Sequence, residues 1–372
     1  MAVREELPVV DADMDAAYLS AALKRAGRDA SVGRIALEPF GDGRTSTPVY
    51  SVVSSAGRHA LKVFPRRSWW SEVSGVGCVE VELWSGGTTQ SLPAPLLCPT
   101  IDVAFHPGRD EYWMLMDDVS AGIMPRGTFD EERARWLLDA LARLHAHYWA
   151  SDVLDRLPVW SLERRAEFFG TSIAAAGGRV PGAGWIGTAL EKIKLFGLML
   201  PPFLEALGPA DADFYLSHCA DCGPWLRSLC RHPFTLTQGD VRRANFAAFA
   251  ADRVSLFDWD FAVRAPAAHD VAWYWYLQFW CYPPADGRSL DDREGLRLYY
   301  RDRLDAALGG DLDPHAFEGA FALSWLSAFA EIGFIISDPL TGSPSEGERA
   351  RVVATCRRAV DRAKRIYDAH VR

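Results

Sequence analysis

An aspartate, an asparagine five residues on, and a second aspartate thirteen residues beyond that stand at Asp240, Asn245 and Asp258. All three offer oxygen, the donor that a hard divalent cation takes, and a carboxylate beside a hydroxyl can accept its proton. Phosphoryl transfer from a nucleoside triphosphate needs both functions. The charged phosphates repel an incoming nucleophile until metal ligands and a proton acceptor stand close to the γ-phosphate. On this reading Asp240 is the base, Asn245 offers an amide oxygen to one Mg2+, and Asp258 binds the metal that bridges the phosphates.

The residues between them read as the device that positions them. Val254-Ser255-Leu256-Phe257 is an apolar run suited to a buried strand, Phe246-Ala247-Ala248-Phe249 is its partner, and Ala250-Ala251-Asp252-Arg253 is the turn. Such a hairpin brings Asn245 and Asp258 together at its open end.

With Gly239-Asp240, Asn245, Asp258-Trp259 and Asp270-Val271-Ala272 in that order, the chain resembles the aminoglycoside phosphotransferases and their relatives, the choline and ecdysteroid kinase-like small-molecule kinases. The resemblance implies an α+β, bilobal protein kinase-like fold. A β-rich N-terminal lobe with a helical lead-in, residues 1–120, would bind nucleotide, and a mainly helical C-terminal lobe, residues 121–372, would carry catalysis and the acceptor. Gln238 stands where the family has a histidine. That histidine is structural in the family, and a glutamine amide can do part of its work. Asp270 would accept hydrogen bonds from backbone N–H groups of the loop and so hold Asp240 in place.

The resemblance runs further along the chain. The stretch containing Gly41 and Gly43 is similar to the family's nucleotide-covering hairpin. Lys62 is a lone cation in the apolar strand His59-Ala60-Leu61-Lys62-Val63-Phe64 and needs an anionic partner. By resemblance it would pair the phosphates and Glu80 on the next helix. Glu82 is two helical positions away and points elsewhere. Tyr112 to Val119 is similar to the family's hinge, so that backbone groups of Met116, Asp117 and Val119 would bond the adenine edge. Leu137 to Trp149 is amphipathic and similar to a helix of the larger lobe.

Each signal alone also fits an ordinary structural role. A glycine turn is usually only a turn, and a lysine between apolar residues often snorkels from an edge strand. His145 and His147 read as packing or capping residues, and Asp252 and Asp260 as solvated turn and loop acids, with Asp260 near enough to Asp258 to support it. The order of the signals along the chain is what a kinase fold requires.

Composition agrees. The chain has 372 residues, 49% hydrophobic and 24% charged, enough for two sizeable cores. Lys and Arg number 40 against 49 Asp and Glu, a formal net charge of −9, which disfavours nucleic acid as a partner. No uninterrupted apolar run reaches the ~20 residues of a membrane span, and no signal-peptide core is read near Met1, so the expected location is cytoplasmic. Seven cysteines suggest reduced thiols. His218, Cys219, Cys222, Cys230 and His232 could ligate zinc, against buried thiols on a helix spanning Phe214 to Cys230. Trp273 to Trp280 reads as a core helix.

Only eleven residues separate Asp258 from Asp270, too few for a segment that docks a peptide. The expected acceptor is therefore a small-molecule alcohol, an antibiotic or a related metabolite, with ATP or GTP as donor. A non-catalytic nucleotide-binding protein is the alternative, kept open by Gln238. Glu331 and Asp338 near Trp325 and Phe329 read as helix-surface charge and core rather than as a cation-accepting wall.

Overall fold

The computed structural model describes residues 16–28, 32, 36–39, 49–125, 127–182, 184–284 and 293–372. The chain divides into two compact units. The first comprises Met1–Ile123, Leu157–Val159 and Ala244–Asp260, and the second Met124–Arg156, Trp160–Arg243 and Phe261–Arg372.

The first unit is built on a five-stranded antiparallel sheet, in the order Ala36–Pro39, Val49–Ser54, Gly57–Pro65, Glu111–Asp117, Thr100–His106. Side chains alternate across it with period two. Leu61 therefore joins Val52, Ile101, Trp113 and Leu115 in one apolar cluster, while Ala60 and Phe64 join Val103, Met114 and Met116 in another. Lys62 shares its face with Ala60 and Phe64, and that face carries Cys78 and Val81 of the segment leading into and forming the helix Val79–Ser85.

The other face is covered by the helix Ala16–Arg25, which buries Tyr18, Leu19, Ala22 and Leu23. Its Arg25 pairs with the buried Asp102 at 2.5 Å. A helix over Asp11 to Gly27 is the sequence expectation; of this, residues 11–15 lie outside the described residues, and the buried stripe runs through Leu19 and Ala22, leaving Ala17 and Ala21 exposed. A tight hairpin, Phe246–Ala250 with Arg253–Leu256, completes the unit and pairs in parallel with the short strand Leu96–Leu97.

The second unit is mainly helical. Its long helices are Glu131–His147, Leu162–Ala176, Lys194–Leu207, Pro209–Ala220, Glu294–Ala307, Pro314–Ile332 and Glu346–His370. A small sheet places Val263–Pro266 between Trp160–Ser161 and Phe234–Thr237. Phe214 to Cys230 is not one helix. It breaks after Ala220, and a second helix runs over Gly223–Leu229, because Pro224 has no N–H for a continuing ladder and fits only a first turn. The aromatic stretch is a helix over Ala268–Trp275 that widens into a π-helical turn over Tyr276–Cys281, buried throughout.

The segment Pro314–Thr341 is long and apolar enough to cross a membrane by composition, with a mean hydropathy of 1.7, although no uninterrupted apolar run is present. Protein surrounds it: 83% of its apolar window is buried. It is the helix at the centre of the unit, in contact with the helices Leu162–Ala176, Ala268–Trp275 and Glu346–His370.

Close helix approach constrains one glycine here. A Cβ on Gly170, in Leu162–Ala176, would lie 2.3 Å from the carbonyl oxygen of Cys219. Gly170→Ala should therefore destabilise the protein by about 1–3 kcal/mol, the usual range for overpacking. Chemical denaturation measures this, and an unchanged midpoint would show that the two helices separate freely.

Candidate active site

The period-two alternation that puts Lys62 among apolar side chains also removes its ammonium from water, at 7% exposure. An isolated charge there would cost on the order of several kcal/mol. The Nζ atom is instead 2.6 Å from Glu80 Oε2 and 2.5 Å from Asp258 Oδ1, with Asp260 Oδ2 at 3.6 Å. Glu80 sits in the first turn of Val79–Ser85 and is buried, whereas Glu82 is only half-buried. Glu80 also ties the next part of the cluster in place, since its Oε1 accepts the backbone N–H of Asp258 at 3.1 Å.

Asp258 has φ = 61°, the left-handed region that a non-glycine residue enters only at a cost. The hairpin below it sets its distance from Asn245. Leu256 pairs with Phe246, and the N–H of Phe257 donates to the carbonyl of Asn245 at 3.1 Å. Asn245 and Asp258 thus stand at the open end of the hairpin, and the Asn245 side chain is buried.

Three carboxylates here share one ammonium. Burial alone would pull the Lys62 pKa down, but the charges of Asp258, Glu80 and Asp260 outweigh it and hold the ammonium well above its usual range. Burial pushes the Glu80 carboxyl up to about 7, against the pull of Lys62 and with the help of Asp260 and Asp258. Burial raises Asp260 as well. Asp260 is therefore not a solvated loop acid as its sequence position suggests; its side chain is 18% exposed. Among the described residues, Glu80, Asp258 and Asp260 are the group whose ligand oxygens lie within 4.8 Å of one another.

The loop Gln238–Asp240 belongs to the second unit. Both oxygens of the fully buried Asp270 carboxylate accept from it, Oδ2 from the N–H of Gln238 and Oδ1 from that of Gly239, each at 2.8 Å. His145 Nε2 lies 3.1 Å from Asp270 Oδ2 and its Nδ1 2.6 Å from the Tyr300 hydroxyl. Nε2 faces the carboxylate and Nδ1 the Tyr300 hydroxyl, which also lies 3.4 Å from the Ala267 carbonyl oxygen. His145 is thus part of the loop's support, beyond the packing role its sequence context suggests.

Gly239 has φ = 83°, and a Cβ there would lie 2.0 Å from the carbonyl oxygen of Phe261, so no other residue fits. Gln238 folds over the turn, its Oε1 accepting the Asp240 N–H at 2.8 Å. The Asp240 carboxylate receives Trp273 Nε1–H on Oδ1 at 3.0 Å and lies 3.1 Å from Arg242 Nε through Oδ2. Asp270 and Gln238 of these partners are marked by the sequence. Trp273 sits inside an aromatic run that reads only as core.

The remaining expected positions are placed as follows. Met116 is buried in the strand Glu111–Asp117. The N–H of Asp117 donates to the Pro99 carbonyl at 2.8 Å, and its carboxylate takes two bonds from Arg28 at 2.6 and 2.7 Å. The next acid, Asp118, accepts the N–H of Ser120, and Val119 precedes that short turn. Gly41 and Gly43 lie outside the described residues. His218 stacks on Phe214, Cys219 Sγ donates to the Ala330 carbonyl, and Cys230 Sγ faces Glu163. Glu331 is neither surface charge nor an open wall. It is buried at 1% exposure and paired with Arg165 at 2.7 Å, as a carboxylate withdrawn from water requires.

The Glu80 shift has a sign that can be tested. A carboxyl raised from its ordinary 4.5 to about 7 in the folded protein contributes stability below pH ~4.5 that is lost as pH rises through 7. Glu80→Gln fixes the neutral form, so the midpoint of the variant relative to the unmodified chain should rise between pH 5 and pH 8. A relative midpoint that stays flat over the same range would mean that Glu80 is ionised throughout.

No protein-family model and no curated protein matches the chain. Among solved structures it is similar to the amicoumacin kinase hAmiN in complex with AMP-PNP, Ca2+ and Ami, at 13% identity over 87% of this chain and 88% of that chain, with a TM-score of 0.53. It is also similar to the microcompartment-associated aminopropanol kinase, at 13% identity over 96% of this chain and 99% of that chain, with a TM-score of 0.50. At these identities the likeness is one of fold: a β-sheet N-terminal part followed by a mostly helical part, as in these two small-molecule kinases.

Proposed function

We propose that this chain is a phosphotransferase that moves the γ-phosphoryl group of ATP or GTP to a hydroxyl of a small molecule. The observation that carries the reading is the buried Lys62 ammonium held between Glu80 and Asp258. A lysine so fixed is a rigid cation for phosphate oxygens. The solved relatives by fold, one of which holds a nucleotide analogue and a divalent cation, support it further.

The donor set fits a divalent metal. With Glu80, Asp258 and Asp260 ionised the cluster carries three negative charges and one positive, an excess that a hard cation with oxygen ligands would relieve. Asp258 and the amide oxygen of Asn245 would hold Mg2+, which when bound supplies charge neutralisation at the phosphates. Lys62 orients the same phosphates, and Glu80 keeps Lys62 and the Asp258 backbone in register. Asp240 accepts the proton of the acceptor hydroxyl as the new oxygen–phosphorus bond forms, and the nucleoside diphosphate departs.

Gln238 no longer favours a non-catalytic reading. Its amide oxygen carries the Asp240 N–H, the kind of loop support that a histidine at this position would give. The acceptor class remains a small alcohol, on the short span between Asp258 and Asp270.

Asp240→Ala should leave nucleotide binding intact and lower transfer ~10²–10⁴-fold, the range for loss of a positioned base. A panel of small alcohols with Mg-ATP and Mg-GTP, scored by product mass, supplies the assay. Near-normal turnover in the folded variant would remove Asp240 from the reaction. Asp258→Ala should abolish the Mg2+-dependent part of the thermal shift given by nucleotide. Equal shifts in both proteins would mean that the metal binds elsewhere.

A further inference from the structure

The backbone of the Gln238–Asp240 loop is fixed by Asp270 and by Gln238, but a fixed backbone does not orient an aspartate side chain. The carboxylate still turns about a broad, two-fold final torsion, and a base is effective only when its lone pair faces the proton it takes. Something must set that plane.

Trp273 is built to do so. It is 3% exposed on the helix Ala268–Trp275, and its Nε1–H donates to Asp240 Oδ1 at 3.0 Å. Such a bond is not automatic in this protein, since the indole N–H groups of the buried Trp225 and Trp325 reach no partner among the described residues. The indole is itself immobilised. The Arg165 guanidinium lies 4.5 Å from the ring centroid, and the ring packs beside His269 and Phe169. Arg165 is held in turn by Glu331 at 2.7 Å and by the Phe261 carbonyl at 3.0 Å, while Ser327 Oγ donates to the other oxygen of Glu331. A cation over the π face draws electron density from the indole and strengthens its N–H as a donor.

We propose that Trp273 is a positioning residue for Asp240: its indole N–H fixes the carboxylate through Oδ1 and leaves Oδ2 to take the acceptor proton. The inference rests on the phosphotransferase reading and deepens it. Oδ2 faces Arg242, a side chain that is 40% exposed and so can yield to an arriving acceptor. Arg165 with Glu331 is the support for the ring rather than a contact of Asp240. The charged and titratable groups around this pair are Arg165, Arg242, Glu331, Asp270 and His269, the last kept neutral because burial lowers its pKa to about 4.

Trp273→Phe removes the donor and keeps a smaller aromatic ring in its place. The kcat should fall roughly 10–100-fold, the equivalent of a hydrogen bond to a charged group, with the KM for nucleotide unchanged. A donor lost from the anion raises the pKa of the carboxyl, so the acid limb of the kcat profile should move to higher pH. A lowered melting point with unchanged kcat and a superimposable pH profile would mean a merely structural tryptophan and overturn the proposal. An activity-free readout uses the indole N–H resonance that Trp273→Phe removes, or selective indole labelling if that variant fails to fold. The resonance should shift in Asp240→Asn, and an identical shift in both proteins overturns the proposal. If Asp240→Ala retains full turnover while the resonance still responds to Asp240→Asn, the reading of the base fails and the Trp273 contact stands.

Discussion

One buried ammonium organises the first unit. Strand alternation sends Lys62 into an apolar layer with Ala60 and Phe64, where a cation without a counter-charge would unfold the sheet rather than remain. Glu80 and Asp258 come to it from segments 18 and 196 residues away in sequence. The pair is over-compensated, since Asp260 adds a third carboxylate. Burial and this crowding of carboxylates together push Glu80 up to about 7 and raise Asp260 as well.

The second unit repeats the logic with the sign reversed. Asp270 is a fully buried carboxyl with no lysine or arginine bonded to it among the described residues; it is satisfied by two backbone N–H groups and by His145. Backbone donors are fixed dipoles, so the same bonds that stabilise the carboxylate also dictate the path of the loop. Gly239 follows from this path: with its N–H on Asp270, its α-carbon faces the Phe261 carbonyl at a distance that only hydrogen can occupy.

Sequence periodicity and turn chemistry made the supports visible wherever they are local. Phe246 to Leu256 alternates around an Ala-Asp turn and forms that hairpin. Lys62 is a charge in a strand that cannot hold one alone, so a partner was required, and Glu80 was separable from Glu82 by helical direction. What stayed hidden depends on distant approach. Arg165 and Glu331 are 166 positions apart, and nothing in either neighbourhood names the other. Trp273 is one of several aromatics in Trp273 to Trp280, and burial of every helical angle erases the periodicity that would mark one ring as different. Only the direction of its N–H distinguishes it. Asp260 was misread for a related reason: two residues after Asp258 in a turn it looks exposed, yet the left-handed conformation at Asp258 folds the chain back over Lys62.

Gln238 shows why a glutamine can stand in the place of a histidine without loss of the bond it makes. The position is fully buried and must supply an acceptor to the Asp240 N–H two residues on. A histidine can do this only while neutral and only in one tautomer. A glutamine does it with a carbonyl oxygen that never titrates. A glutamine here therefore makes the hydrogen bond and places no titratable group beside the Asp240 carboxylate.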